Sequence, residues 1–325
     1  MKKYFLLIFL CAVSIMITPL AVCDQKPASP QSTKAKESTT KRKAETTTKP
    51  AKKEETVQVF RAEANKSTNM TMFEYVCGSV AAEMPLAYDE EAIKAQAIAC
   101  YTNAKRLKNA SDGKGKYLTD DITIHQGYID KEQRQKKWGD SYEIYEEKLE
   151  AVVKEIYGKA VYYENKLCVC SFFAISNGKT EDAQNIWKAK IPYLVSKDSG
   201  GDAQSPKFES EETFTKAEFI KCASKLKVDV KKIKGNIKVT KRTEAGTVTA
   251  VKLGDKTFTG EEIRHAFGLR SPTFKIDAKE KSITFTVFGY GHGIGMSQYG
   301  ANVLAQKGYT YNEILKHYYT GVTVK

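Results

Sequence analysis

Histidine and tryptophan are scarce in this 325-residue chain, at four and two residues. The histidines, His125, His265, His292 and His317, are scattered, and no paired His or Cys stands at metal-ligand spacing. The sequence therefore predicts no metal centre and no cofactor, and a satisfied surface or core histidine is the default at each position. Cysteine is equally uninformative as a scaffold. Setting aside Cys11 and Cys23 leaves Cys77, Cys100, Cys168, Cys170 and Cys222, an odd set that does not make a disulfide framework. Cys168 and Cys170, two apart in a strand pattern, share a face but are too far apart to bridge easily, so buried free thiols are expected. Nucleic-acid modules are missing as well. The net charge of +13 points instead to anionic surface polymers outside a cell.

The ends say where the chain goes. Lys2 and Lys3 precede an apolar run from Tyr4 to Val22, broken only by Ser14, Thr18 and Pro19. This is the pattern of a secretory signal, and the run also reaches the roughly 20 residues that a membrane span needs. Length alone leaves a cleaved signal and a retained anchor both open. Val22 is too bulky to precede a lipidated Cys23. Residues 24–59 form a basic Lys/Thr/Pro linker with almost nothing to bury, expected to stay disordered as a tether. Residues 60–325 remain for a single α+β domain of mixed helices and sheets.

Within that domain, helical spacing predicts a helix from Thr71 to Ala82 that stops at Glu83-Met84-Pro85. A second, rich in small residues, should run from Asp89 to about Leu107 and pack centrally. A third is written by Tyr142, Tyr145, Leu149, Val152, Val153 and Ile156, closing at Gly158. Ala160–Tyr163 and Leu167–Phe173 read as a hairpin. Thr215 with Glu218, Thr259 with Glu262 and Thr310 with Glu313 each fit a capping box, which gives those glutamates a structural role. Strands are expected at Thr247–Leu253 and Ser282–Phe288.

The most distinctive tract is Gly289-Tyr290-Gly291-His292-Gly293-Ile294-Gly295-Met296-Ser297-Gln298-Tyr299-Gly300. It leaves a strand and enters a helix that should end near Gly308. Its spacing is neither a dinucleotide fingerprint nor a phosphate loop. Two readings remain: a tight packing corner, or the lining of a site with His292 and Gln298 as polar groups.

Three ordered blocks resemble the stage II sporulation protein D family and its related amidase-enhancer proteins. They are Ala82-Glu83-Met84-Pro85 with Glu91 to Ala99; Ser176 to Thr180 with Trp187 and Pro192-Tyr193-Leu194; and Gly289 to Ala301 with Glu313-Ile314-Leu315 and Tyr318-Tyr319. The resemblance implies a lytic transglycosylase cutting the glycan strands of peptidoglycan during engulfment in sporulation. It also implies a membrane partner and a sporulation amidase/endopeptidase working alongside, and no nucleic acid. The family's catalytic glutamate falls on Glu83. Tyr193, Ser176, Thr180, His292, Ser297, Gln298 and Tyr299 are then candidates to hold sugars, with Lys94 and Gln96 from the first block. The pattern departs in three places: Tyr101-Thr102-Asn103 replaces Arg-Thr-Tyr, Asn177-Gly178 replaces two glycines, and only His125 remains where some members bind zinc. A non-enzymatic wall-binding enhancer of an amidase is the alternative. A wall polymer as substrate makes a retained membrane anchor, facing the wall, the preferred reading of the N-terminus.

Taken alone, Glu83 reads first as a surface glutamate at a helix end. The resemblance makes it the acid, and its position just past a helix C-terminus, beside Met84 and Pro85, should hold its proton.

Overall fold

The computed structural model describes residues 54–111, 118–229, 233 and 237–325. The N-terminal apolar run and the linker as far as residue 53 lie outside the described residues. The first part of the chain runs β1 (Thr56–Arg61), β2 (Lys66–Thr71), α1 (Met72–Glu83), α2 (Glu90–Ala110), β3 (Leu118–Thr119), α3 (Lys131–Trp138) and α4 (Tyr142–Ile156). Then follow β4 (Val161–Tyr163), β5 (Lys166–Leu167), β6 (Phe172–Phe173) and α5 (Ala183–Trp187). The remainder is β7 (Glu209–Thr215), α6 (Lys216–Ser224), β8 (Ile237–Arg242), β9 (Val248–Leu253), β10 (Lys256–Phe258), α7 (Gly260–Phe267), β11 (Phe274–Ala278) and β12 (Ser282–Phe288). It closes with β13 (Met296–Ser297), α8 (Gln298–Gln306), α9 (Tyr311–Tyr318) and β14 (Thr323–Val324). This is the expected α+β class. Strand β1 begins inside the stretch read as linker, because Val57 and Val59 alternate into the core.

Two hydrophobic centres organise these elements. The larger gathers around α2, whose buried Ala92, Ala95, Ala97, Ala99 and Ala104 let α1, α4, α8 and α9 approach it closely. A larger side chain at such a position costs about 1–3 kcal/mol by overpacking. The smaller centre is an excursion from β7 to β12. It holds a β11-β12-β7 sheet, a β10-β9-β8 sheet and helices α6 and α7 around Phe219, Phe267, Phe274 and Phe285. Phe267 lies 4.8 Å from Phe219 and 5.1 Å from Phe285, ring centre to ring centre.

Local signals were realised closely. All three threonine–glutamate capping boxes form, and Thr71 with Glu74 makes another at α1. The hairpin turns at Glu164 and Asn165, both with positive φ. Its second strand stops at Leu167, short of the expected Phe173, and β6 instead pairs in parallel with β13. The glycine tract is the corner that makes this pairing possible. Gly295 has φ +85, and a Cβ there would sit 2.0 Å from the Ser171 carbonyl oxygen; at Gly289 it would sit 2.7 Å from that of Ile175. The four thiols Cys77, Cys100, Cys168 and Cys170 are buried and free.

Candidate active site

Helix α1 extends one residue further than its spacing predicts, so that Glu83 is its last residue and Met84 its cap. The residue keeps some surface, but its carboxyl does not: Oε2 is buried and has no hydrogen-bond partner. Oε1 accepts a 2.5 Å hydrogen bond from the Gly127 backbone N–H. Burial pushes the carboxyl above the ordinary carboxylate range, while the Gly127 N–H and the charge of Lys137 hold it back only in part. No second carboxylate figures among the groups acting on it.

The surroundings explain the enclosure. Residues 126–129 cross over α1, where Gly78 leaves room for the Tyr128 ring and the Ile129 carbonyl. Tyr75 stacks on Tyr128 at 5.7 Å, and its hydroxyl accepts a 3.4 Å hydrogen bond from Gln126. The Gln126 amide also donates to the Cys100 carbonyl on α2, and Asn103 donates to the Gln126 side-chain oxygen. Gly127 has to be small, since a Cβ would lie 3.0 Å from Glu83 Oε1 and 3.1 Å from the Ala82 Cβ. The helix-end effect expected from sequence is softened. Lys137 Nζ from α3 donates to the Ala81 carbonyl at 2.7 Å, placing a cation at the negative end of α1.

The sugar-binding candidates fall into groups. Lys94 is buried and ion-paired with Glu91 at 2.8 Å and Glu155 at 2.9 Å; Glu91 in turn accepts from the Tyr311 N–H. Gln96 is fully buried, donates to Cys100 Sγ and accepts from the Gln298 amide at 3.4 Å. Thr180 Oγ1 accepts from the Lys197 N–H. Ser176 and Ser297 converge on Asp202, an acid that the sequence does not single out. Asp202 Oδ1 accepts from the Ser176 N–H at 3.0 Å and from Ser297 Oγ at 2.6 Å. Its Oδ2 accepts from Ser176 Oγ at 2.9 Å and Ser199 Oγ at 2.5 Å. Gly300 must lack a side chain here, because a Cβ would meet the Tyr318 hydroxyl, Ser199 Oγ and Asp202 Oδ2.

Tyr193, His292 and Tyr299 keep partial exposure. The Tyr193 hydroxyl accepts from the Val169 N–H and its ring lies 5.4 Å from that of Tyr163. Tyr299 meets Tyr88 edge-on at 6.1 Å. His292 lies between Phe173 and Trp187; burial, with Arg264 nearby, lowers its pKa to about 4, so the ring is neutral. A cleft of about 920 Å3 lies elsewhere, between Lys179–Ser196 and the β8–β9 hairpin, and Glu83 does not line it.

Sequence reading missed Gly127, Lys137 and Asp202. Nearby, only His125 stood out, as what remains where some relatives bind zinc, and nothing local marks Gly127 as a partner of Glu83. Among the described residues no group of three or more His, Cys, Asp and Glu could hold a metal ion.

The family profile described as Stage II sporulation protein matches residues 60–163, which contain Glu83, Gly127 and Lys137. Stage II sporulation protein D of Bacillus subtilis (strain 168) is 37% identical over 97% of this chain and 93% of its own length. The protein of that name from Bacillus amyloliquefaciens is 40% identical over 82% of this chain and 78% of its own. The Amidase enhancer of Bacillus subtilis (strain 168) is 26% identical over 76% of this chain and 40% of its own length.

Proposed function

Since the chain belongs to the stage II sporulation protein D family, we propose that it cuts peptidoglycan glycan strands as a lytic transglycosylase, with Glu83 as its one acid and base. The observation that carries this reading is the Glu83 carboxyl, buried with Oε1 fixed by Gly127 and Oε2 bare. Hydrolytic glycosidases need two carboxylates, because one must activate water or attack the sugar. A transglycosylase needs one. Protonated Glu83 gives its proton to the glycosidic oxygen as the bond from that oxygen to the anomeric carbon breaks. The resulting carboxylate takes the proton from the sugar's own 6-hydroxyl as that oxygen bonds to the anomeric carbon. Glu83 ends as it began, the product carries a 1,6-anhydro ring, and no water is consumed.

The raised proton affinity of Glu83 suits the first half of this cycle, and the Gly127 N–H together with Lys137 suits the second. In this reading Tyr193 and Tyr299 offer faces to the glycan, while Lys94, Gln96, Ser176, Thr180, Ser297 and Gln298 brace the walls. The N-terminal apolar run would hold the domain at the membrane, facing the wall, with an amidase and a membrane protein as partners.

A second reading, a wall-binding module that stimulates a separate amidase, is favoured by one observation: most of the polar groups expected to hold sugar are spent inside the protein. One assay separates the two. Glycan strands incubated with the protein should yield anhydro ends detectable by mass, and Glu83→Gln should lower their release by about 10²–10⁴-fold, as for loss of a general acid. Intact strands with measurable binding would favour the module instead, and undiminished release by Glu83→Gln would remove that residue from the role.

A further inference from the structure

One turn beyond Asn103 on α2, Arg106 is a cation with no carboxylate partner among the described residues. Its Nε is buried without a hydrogen-bond partner. Among the described residues, the charged or titratable groups acting on it are the Tyr193 phenol and the Cys170 thiol, with His125 on the facing loop; none of these is a carboxylate. Burial lowers the pKa of the guanidinium, and its charge helps hold His125 neutral, with a pKa of about 4. His125 Nδ1 meanwhile accepts from the Thr119 N–H, so that face of the ring is spent. Other buried cations are ion-paired: Lys94 with Glu91 and Glu155, Arg134 with Glu146, and Arg264 with Glu261. Leaving a guanidinium half-enclosed and unpaired is costly, and folds retain such a group where something outside the chain completes it.

We propose that Arg106 is an anion subsite that takes the carboxylate of an acidic sugar in the strand being cut. Three features of the structure select that ligand. A guanidinium with no internal partner presents a planar fork that matches a carboxylate. Beside it the half-exposed Tyr193 and Tyr163 rings, 5.4 Å apart, supply the apolar faces on which a pyranose rests. And Asn103, one turn back along α2, donates to Gln126, whose neighbour Gly127 grips Glu83. The subsite and the acid are thus linked through one loop. In a glycan of alternating neutral and lactyl-bearing sugars, the lactyl carboxylate is the group that the fork would read. The sugar identity rests on the transglycosylase reading above, whereas the anion site does not.

The test is made at equilibrium in Glu83→Gln protein, so turnover plays no part. The probes are the disaccharide N-acetylglucosaminyl–N-acetylmuramic acid with a free lactyl carboxylate, and its methyl ester. The acid should bind about tenfold or more tightly than the ester, the gain of a charge-assisted bidentate pair. Arg106→Gln should erase that preference, and Arg106→Lys should keep only part of it. Without ligand, Arg106→Gln should leave Tm unchanged or raise it by about 2–4 °C, because an unpaired buried charge has been removed. Equal binding of acid and ester, a preference that survives Arg106→Gln, or a Tm lowered by several degrees in that variant would each overturn the proposal. Absence of anhydro products from wild-type protein would count against the transglycosylase reading and leave the anion subsite standing.

Discussion

Two buried carboxyls, Glu83 and Asp202, sit in the same hydrophobic centre and are treated in opposite ways. Asp202 accepts four hydrogen bonds, two on each oxygen, from Ser176, Ser199 and Ser297. Glu83 accepts one, and its second oxygen meets no donor. Burial raises the proton affinity of both; at Asp202 four hydrogen bonds oppose it, at Glu83 one hydrogen bond and a lysine. The first arrangement ties three distant segments together. The second keeps a carboxyl enclosed yet unsatisfied, which is what an acid that must hand over its proton requires.

Breaking the braced carboxyl should have the largest effect on the fold. Asp202→Ala strands the hydroxyls of Ser176, Ser199 and Ser297, all buried, without their acceptor. A cost of about 3–5 kcal/mol is expected, as when one partner is removed from a buried charged network. Urea denaturation at neutral pH measures it. A loss below about 1 kcal/mol would mean that the serines find other partners and that Asp202 is no strut. Glu83→Gln, by contrast, should cost nothing in the same titration, because the Gln oxygen can still accept from Gly127.

This contrast was only half legible in the sequence. The helix ends were, because Thr215 and Glu218, or Thr259 and Glu262, complete their boxes within four residues. Strand Ser282–Phe288 was too, since alternation is a property of the strand itself. The second hairpin strand was overextended because Asn103, far away on α2, takes both the N–H and the carbonyl of Cys170 out of the ladder. Glu83 was found through its motif, but its partners were not: Gly127 lies 44 positions on. Asp202 draws on positions 176 and 297, so no local window contains its environment. His125 was weighed only as the remnant of a zinc site, and Gly127, two positions on, was not singled out. Arg106, one of three basic residues in Lys105-Arg106-Leu107-Lys108, carried none.

The next test sharpens the Glu83 side. Gly127→Ala inserts a Cβ 3.0 Å from Oε1 and 3.1 Å from Ala82, so the loop or the carboxyl must give by a few tenths of an ångström. Stability should fall by about 1 kcal/mol, the low end of overpacking. Release of anhydro products should fall by about tenfold, since the donor that fixes Oε1 moves away. Equal losses in Glu83→Gln and in the double variant with Gly127→Ala would show the two residues acting as one unit. Unchanged activity in the single variant would remove Gly127 from the site.

Lys137→Met probes the finest difference between the two carboxyls, since Asp202 has no cation among the groups acting on it. Lys137 lowers the proton affinity of Glu83, and Glu83 raises that of Lys137. Removing the ammonium therefore lifts the Glu83 pKa further. Because cleavage starts from the protonated acid, the alkaline limb of the rate profile should move to higher pH by the same amount. Stability follows the same sign: with a folded pKa above the unfolded one, the contribution is full below the unfolded value and is lost as pH rises through the folded value. That window should widen upward in Lys137→Met, and Lys137→Arg should restore the wild-type profile. The other groups around the carboxyl, Tyr75, Cys100 and the Gly127 N–H, remain in place in both variants. An alkaline limb that stays fixed in Lys137→Met would mean that Lys137 only ties down the Ala81 carbonyl, and that the enclosure of Glu83 alone sets its proton affinity.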